Sequence, residues 1–356
     1  MASVPPADRQ KRITVRGAAL FAGKLAVAAG AIALLHSRGL LDFTVLADVP
    51  RSAATVLLLV GGCASMAVAL ALLAWRMQLL LRFSRFDVGI SPAVLITFVA
   101  YFFGTLLPGM VGADAIRAAY FCSRVAERRM DVVTTILFDR VIGLYSLLLL
   151  GSVALVGAWL GGIWREGFAF LMAAPLALAL ATCGALLFAC LPGSAIGDGL
   201  RRRLPWHLKA LVRGTRSLLR SPPLLAATIG ISLLSHLFMV CSFVVIAVLI
   251  ADSLPILLHF AISPLAVVLN SVPLSPGGLG LTEGAFAYLF QVAGSSNGAL
   301  IGLLGRIVQY GAFVVGGLIS ILLLRWQGEA IASLDAVTPA FARSVAGAPR
   351  DGIPDH

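Results

Sequence analysis

Pro273-Leu274-Ser275-Pro276-Gly277-Gly278-Leu279-Gly280-Leu281-Thr282-Glu283 interrupts an otherwise apolar stretch at 256–292. A helix does not run through such a sequence. Proline removes a backbone donor and crowds the preceding turn, while glycine loses the most conformational freedom on ordering. The arms on either side are each about 20–25 Å long as helix, short of a hydrocarbon core of ~30 Å. The same pattern stands earlier, where Leu107-Pro108-Gly109-Met110-Val111-Gly112 breaks the apolar stretch 92–124. Pro108, Gly109 and Gly112 in the first stretch, and Pro273, Pro276, Gly277, Gly278 and Gly280 in the second, are the expected breaks. Each stretch therefore reads as a re-entrant helical hairpin.

Around these two stretches lie six unbroken apolar runs, at 18–36, 53–80, 131–160, 167–191, 223–250 and 298–325, each long enough for the ~20 residues that cross a bilayer. Hydrophobic residues make up 60% of the 356 and charged residues 12%, with a mean hydropathy of +0.98. Too few charges remain to coat a water-soluble surface, which excludes a soluble enzyme, a secreted disulfide scaffold and a disordered chain. The five cysteines, Cys63, Cys122, Cys183, Cys190 and Cys241, form no C-x-x-C pair and read as small hydrophobes. The fold class is an all-α polytopic membrane protein with about six full spans and two re-entrant hairpins.

The net charge of +11 follows the ends of the apolar runs rather than a nucleic-acid surface. With the N-terminus inside, the inner face collects Arg9 to Arg16, then Arg76, Arg82 and Arg85, then Arg117, Arg124, Arg128 and Arg129. It also collects Arg201 to Arg220, Arg325, Arg343 and Arg350, whereas only Arg38, Arg51 and Arg165 fall outside. Both termini are therefore expected on the cytoplasmic side, with an uncleaved signal anchor at 18–36. No Lys or Arg occurs from Ser221 to Gly305, so the second hairpin is expected to enter from the outer face. The segment 197–221 alternates Arg and Leu as an amphipathic helix would on an anionic inner leaflet.

Cut near residue 163, the chain shows span, span, hairpin, span twice over, starting from opposite sides. This is the pattern of an inverted-topology repeat, in which broken helices point to a midplane substrate site. The expected organisation is a basic cytoplasmic N-terminus at 1–17, a first repeat at 18–162, a second at 163–325 and a cytoplasmic, disordered tail at 326–356.

Intramembrane charge is costly, by about 2.5–3.5 kcal/mol per residue at a helix centre, so each instance needs a role. Asp114 and Glu283 follow the two breaks, where a new half-helix starts and its dipole favours an acid. Asp139-Arg140 and Arg306 lie some 23–26 residues further on, near the middle of the next span, and Arg117 lies at the edge. Two readings compete. Asp114 and Glu283 cap half-helices while Arg140 pairs with Asp139 or Asp114 and Arg306 with Glu283, leaving a neutral lock between halves, or the arginines and half-helix N-termini form an anion site suited to a lipid phosphate. No metal-ligand spacing, phosphate loop or nucleophile motif accompanies them. Gly157-x-x-x-Gly161 and Gly298-x-x-x-Gly302 fit close helix packing.

Gly104-Thr105-Leu106-Leu107-Pro108-Gly109, Asp114-Ala115-Ile116-Arg117, Phe138-Asp139-Arg140 and the Pro273 to Glu283 stretch together resemble the flippase-like membrane family named after the transmembrane region of lysylphosphatidylglycerol synthase. The resemblance implies a lipid-translocating fold with inverted halves, and it implicates Asp114, Arg117, Asp139, Arg140, Glu283 and Arg306 as the polar centre. Bifunctional members continue into a soluble aminoacyl-transferring domain. Residues 326–356 do not resemble that domain, so lysyl transfer is not expected.

The expectation is a translocase that moves a phospholipid, a polyprenyl-phosphate-linked lipid or a hopanoid-type lipid between leaflets, with no cofactor, no metal and no nucleic-acid partner. The rivals are an integral-membrane enzyme of lipid-phosphate metabolism and a non-transporting partner of lipid-synthesis enzymes.

Overall fold

The computed structural model describes residues 29–105, 111–124, 128–163, 221–271 and 278–326, with isolated positions at 23, 26, 176, 177, 179, 180, 183 and 184. The N-terminal segment 1–17, the run 167–191 apart from those positions, the amphipathic segment 197–221 apart from Ser221, and the tail beyond Trp326 lie outside the described residues. So do the breaks Pro108, Gly109, Pro273, Pro276 and Gly277.

The described residues are helical throughout, with no strand among them. After a helical stretch at 29–37 come α1 (Ala53–Phe83), α2 (Ile90–Gly104), α3 (Val111–Ser123) and α4 (Arg129–Leu160). The second set is α5 (Pro222–Leu249), α6 (Ile256–Val268), α7 (Leu281–Ala293) and α8 (Gly298–Trp326). Four of these, α1, α4, α5 and α8, are long and apolar enough to cross a membrane. The protein is a multi-pass membrane protein. Each broken stretch is a pair of short helices, and at 1.5 Å per residue each arm is about 20 Å long. Gly112 corrects one expectation, since it is already inside α3. That helix starts at Val111.

α1 and α5 run antiparallel through the centre, with Gly62 beside Val245, Ser65 bonded to the Phe238 carbonyl, Ser235 bonded to the Ala69 carbonyl, and Leu80 beside Leu224 and Leu225. The end of α1 and the start of α4 are tied together, Ser84 Oγ to Thr135 Oγ1 at 3.0 Å and Arg128 to the Ser84 carbonyl. The end of α5 and the start of α8 are tied at the opposite end through Asp252, Ser295 and Asn297. The two short-helix pairs therefore enter the bundle from opposite ends.

Packing repeats this relation. α2 packs on α8 and α6 on α4, and α3 on α4 and α7 on α8. The pairs α1–α4 and α5–α8, and likewise α1–α8 and α5–α4, are matched too. Exchanging the halves maps this set of helix contacts onto itself. The largest apolar cluster among the described residues joins α4, α5, α6, α7 and α8 around Phe243, Phe286 and Phe290, and α2 closes on α8 through Tyr101 and Phe313, ring centres 5.3 Å apart.

At the Asp252 end, the Asp252 carboxylate accepts hydrogen bonds from Ser295 Oγ and Asn297 Nδ2 and faces His259 Nε2 at 3.4 Å. Burial pushes its carboxyl up, but the bonds from His259, Ser295 and Asn297 outweigh that and hold it below the ordinary carboxylate range.

Candidate functional site

Asp139 and Arg140 are neighbours on α4, so their side chains leave the helix about 100° apart and meet different partners. Asp139 accepts from Arg76 Nε of α1 at 2.7 Å and lies 3.9 Å from Arg117 of α3. Arg140 instead pairs with Asp114, which also pairs with Arg117 one turn along α3. Arg76 continues through Nη1 to Ser232 Oγ of α5 at 2.7 Å, and its guanidinium lies over Gly143, where a side chain would crowd it. A chain of polar contacts thus runs Ser232, Arg76, Asp139, Arg117, Asp114, Arg140. Three arginines face two aspartates.

Asp114 sits in the first turn of α3, where exposed backbone N–H groups and the helix dipole favour a carboxylate. Arg117 is buried against Met77 and Tyr101, with its Nε lacking a hydrogen-bond partner among the described residues. Asp114 and Arg140 remain partly accessible, at 17% and 21% of the side chain.

The second half repeats half of this arrangement. Gly278 and Gly280 take φ of +73° and +86°, a left-handed backbone that favours glycine, and deliver the chain into α7. Glu283 then turns back in the first turn of α7, accepting from the Gly280 N–H at 2.6 Å and from Arg306 Nε of α8 at 2.8 Å. Glu283 and Arg306 are both buried.

Between the halves lies a cavity of about 110 Å³, room for several waters, walled by α1, α2, α3, α5, α6 and α8. Thr105 and Ala113 bring the first hairpin to it and Val267 brings the second, while Arg306, His236 and Gln309 supply its polar lining. His236 Nε2 contacts the Gly143 carbonyl at 2.9 Å, and Gln309 donates to Ser242 Oγ. The Tyr310 hydroxyl on the wall is buried without a hydrogen-bond partner among the described residues.

The structure brings Asp114, Arg117, Asp139 and Arg140 together as one centre and keeps Glu283 and Arg306 as a second. Arg140–Asp114 and Arg306–Glu283, pairings that the lock reading expects, are both made, α3 to α4 and α7 to α8, each within its half, while Arg76 carries the first centre across to Ser232 of α5. Arg76 is the residue that sequence reading missed. It was grouped with Arg82 and Arg85 on the cytoplasmic rim, yet its side chain is 2% exposed and bridges α1 to α4 and α5. The signal was the apolar run through Met77, Leu79, Leu80 and Leu81, which continues α1 past the charge.

A family model described as the lysylphosphatidylglycerol synthase TM region matches residues 21–317. A comparison with curated proteins returned no match.

Proposed function

The chain belongs to the lysylphosphatidylglycerol synthase transmembrane-region family, and on that premise we propose that it is a translocase for a lipid with an anionic headgroup. The carrying observation is the buried centre of Arg76, Arg117 and Arg140 against Asp114 and Asp139, which holds one positive charge more than it neutralises among the described residues. A surplus cation inside an apolar bundle costs about 2.5–3.5 kcal/mol on insertion scales, and a phosphate would offset it.

Several features support the reading. The short-helix pairs act as re-entrant hairpins in an inverted-topology repeat, with the inner ends of α2, α3 and α6 lining the central cavity. Irregular backbone at membrane depth is tolerated where it lines such a cavity. The Ser84 end carries Arg82, Arg85, Arg124, Arg128 and Arg129, which favours that end as cytoplasmic. The acid–arginine pairs lie within each half, and Arg76 to Ser232 is the contact by which the first centre reaches the other half, a bond to be released as one half rocks against its partner. Arg140 and Arg306 neutralise the headgroup phosphate, and Asp114 and Glu283 orient the half-helices. The transported lipid is a phospholipid or a polyprenyl-phosphate-type lipid of a bacterial inner membrane.

The test is leaflet exchange of a fluorescent phospholipid in reconstituted vesicles. Wild-type protein accelerates exchange, and a folded double variant Arg140→Ala, Arg306→Ala does not. Equal rates for the two would sink the proposed site. Mass spectrometry of lipids after expression separates an enzyme, which creates new species, from a translocase, which only redistributes them.

A further inference from the structure

α1, α5 and α8 meet along one seam, and two hollows lie on it. The central cavity is one. The other is a groove of about 700 Å³ nearer the Asp252 end, walled by Val56 and Leu59 of α1, Ile246 and Leu249 of α5, and Leu304 and Ile307 of α8. Arg51 stands at its rim, at the start of α1.

On α1, Leu59 lines the groove and Met66 the cavity, with Gly62 and Cys63 between them in the chain. Val308 rests on Gly62, so closely that a Cβ at Gly62 would come within 3.0 Å of its Cγ1, and Cys63 Sγ donates to the Val308 carbonyl. One turn away on α8, Leu304 lines the groove, while Arg306 and Gln309 line the cavity. At the Ser84 end the same α1–α5 contact is closed in another way. Leu80, Phe138 and Ile142 pack with Leu224 and Leu225, and Arg76 ties α1 to Ser232. An aliphatic plug and a buried arginine stand at one end, and two valines, Val308 and Val245, against a glycine at the other.

The chemistry of the groove selects its occupant. Val56, Leu57 and Ile307 expose 61%, 72% and 57% of their surface, so in a bilayer this face meets acyl chains. Arg51 is exposed and makes no ion pair among the described residues, and a guanidinium at that level suits the phosphate of a lipid whose tail lies in the groove. Resting on the translocase reading, we propose that this groove is the lateral docking site for a phosphate-bearing lipid, with its acyl chain along α1, α5 and α8, its phosphate at Arg51, and Val308 as the gate between groove and cavity.

The experiment uses the full chain in phosphatidylcholine vesicles containing phosphatidylglycerol with a diazirine in one acyl chain. Irradiation and peptide mapping are expected to place adducts at Leu59, Ile246 and Leu304 in preference to Val315, Leu318 and Leu322, which are exposed on α8 outside the groove. Arg51→Glu lowers the groove adducts at least threefold and leaves those at Leu318 and Leu322 unchanged. Gly62→Leu wedges the gate, keeping groove adducts while slowing exchange of a fluorescent phosphatidylglycerol at least tenfold. Val308→Ala, which removes bulk and so does not depend on Gly62→Leu folding, speeds exchange.

Groove adducts no more frequent than those at Leu318, or indifferent to Arg51→Glu, overturn the docking site even if exchange is normal. Exchange unaltered by both Gly62→Leu and Val308→Ala overturns the gate. Specific, Arg51-dependent adducts in a wild-type protein that exchanges no lipid uphold the docking site and overturn the translocase reading instead.

Discussion

Arg76 Nε donates to Asp139 Oδ1 at 2.7 Å where α1 meets α4, and each side chain is 2% exposed. A buried ion pair is weak evidence for stability, because desolvating both charges offsets much of their attraction. Removing one partner is different. Asp139→Ala leaves the Arg76 guanidinium with Ser232 alone on that side, and the expected loss is about 3–5 kcal/mol. Thermal unfolding in detergent measures it, and the double variant Arg76→Met, Asp139→Leu is expected to recover most of it. A double variant as unstable as Asp139→Ala would show that the pair does more than neutralise charge.

Glu283 performs two tasks that substitutions separate. Glu283→Gln keeps an acceptor for the Gly280 N–H but removes the charge that faces Arg306. Glu283→Ala removes both, and the loss of the cap adds about 0.5–2 kcal/mol to the cost of the broken pair. Unfolding midpoints of the two variants should therefore differ, with Glu283→Ala lower. Equal midpoints would mean that the contact with Gly280 contributes nothing.

The two G-x-x-x-G motifs are alike in sequence and unlike in consequence. A Cβ at Gly298 would come within 2.3 Å of the Phe286 carbonyl oxygen, and one at Gly302 within 2.9 Å of the Phe286 ring. α7 packs on α8 only because these positions have no side chain. At Gly157 the nearest atom is Leu257 Cδ2 at an ordinary 3.8 Å, and Gly161 caps α4. Gly298→Ala is expected to cost about 1–3 kcal/mol through overpacking, whereas Gly157→Ala should be neutral or slightly stabilising as a helix-interior replacement. Thermal denaturation of both variants checks the contrast.

Asp252 gives the Asp252 end a pH dependence. Its carboxyl is held below the ordinary range in the folded protein, so folding favours the ionised form. The stability it contributes is complete above the unfolded value of about 3.9 and fades as pH falls through the lower native value. Melting temperature should therefore drop more steeply between pH 5 and pH 3 in the wild type than in Asp252→Asn. Parallel curves would remove Asp252 from the account.

Much of the fold was legible in the chain. The runs read at 53–80, 131–160, 223–250 and 298–325 are helical over nearly the same residues, and each Pro-Gly interruption separates two short helices. Such features are local: an apolar run of sufficient length, or proline and glycine in succession, biases the backbone whatever lies across from it. Asp114 and Glu283 were legible for the same reason, since an acid just after a helix start answers to the exposed N–H groups of its own first turn.

The partners of the charges were legible only in part: Arg306 meets Glu283, and Arg140 meets Asp114 rather than Asp139. Asp139 and Arg140 are adjacent in sequence, yet one serves Arg76 and Arg117 and the other Asp114, because a step of 100° per residue aims them at different helices. Arg76, counted with its basic neighbours on the rim, is drawn inside because α4 and α5 present Asp139 and Ser232 to it. The sequence by itself determined where the long helices form, where the Pro-Gly clusters interrupt them and that Asp114, Asp139, Arg140, Glu283 and Arg306 lie within the apolar segments. Tertiary structure decided which acid each arginine meets, that both acid–arginine pairs stay within their own half, and that the α1–α5–α8 seam is hollow at one end and sealed at the other. Those outcomes depend on residues from 23 to 156 positions apart meeting across helix interfaces, where packing, not local backbone preference, sets the geometry.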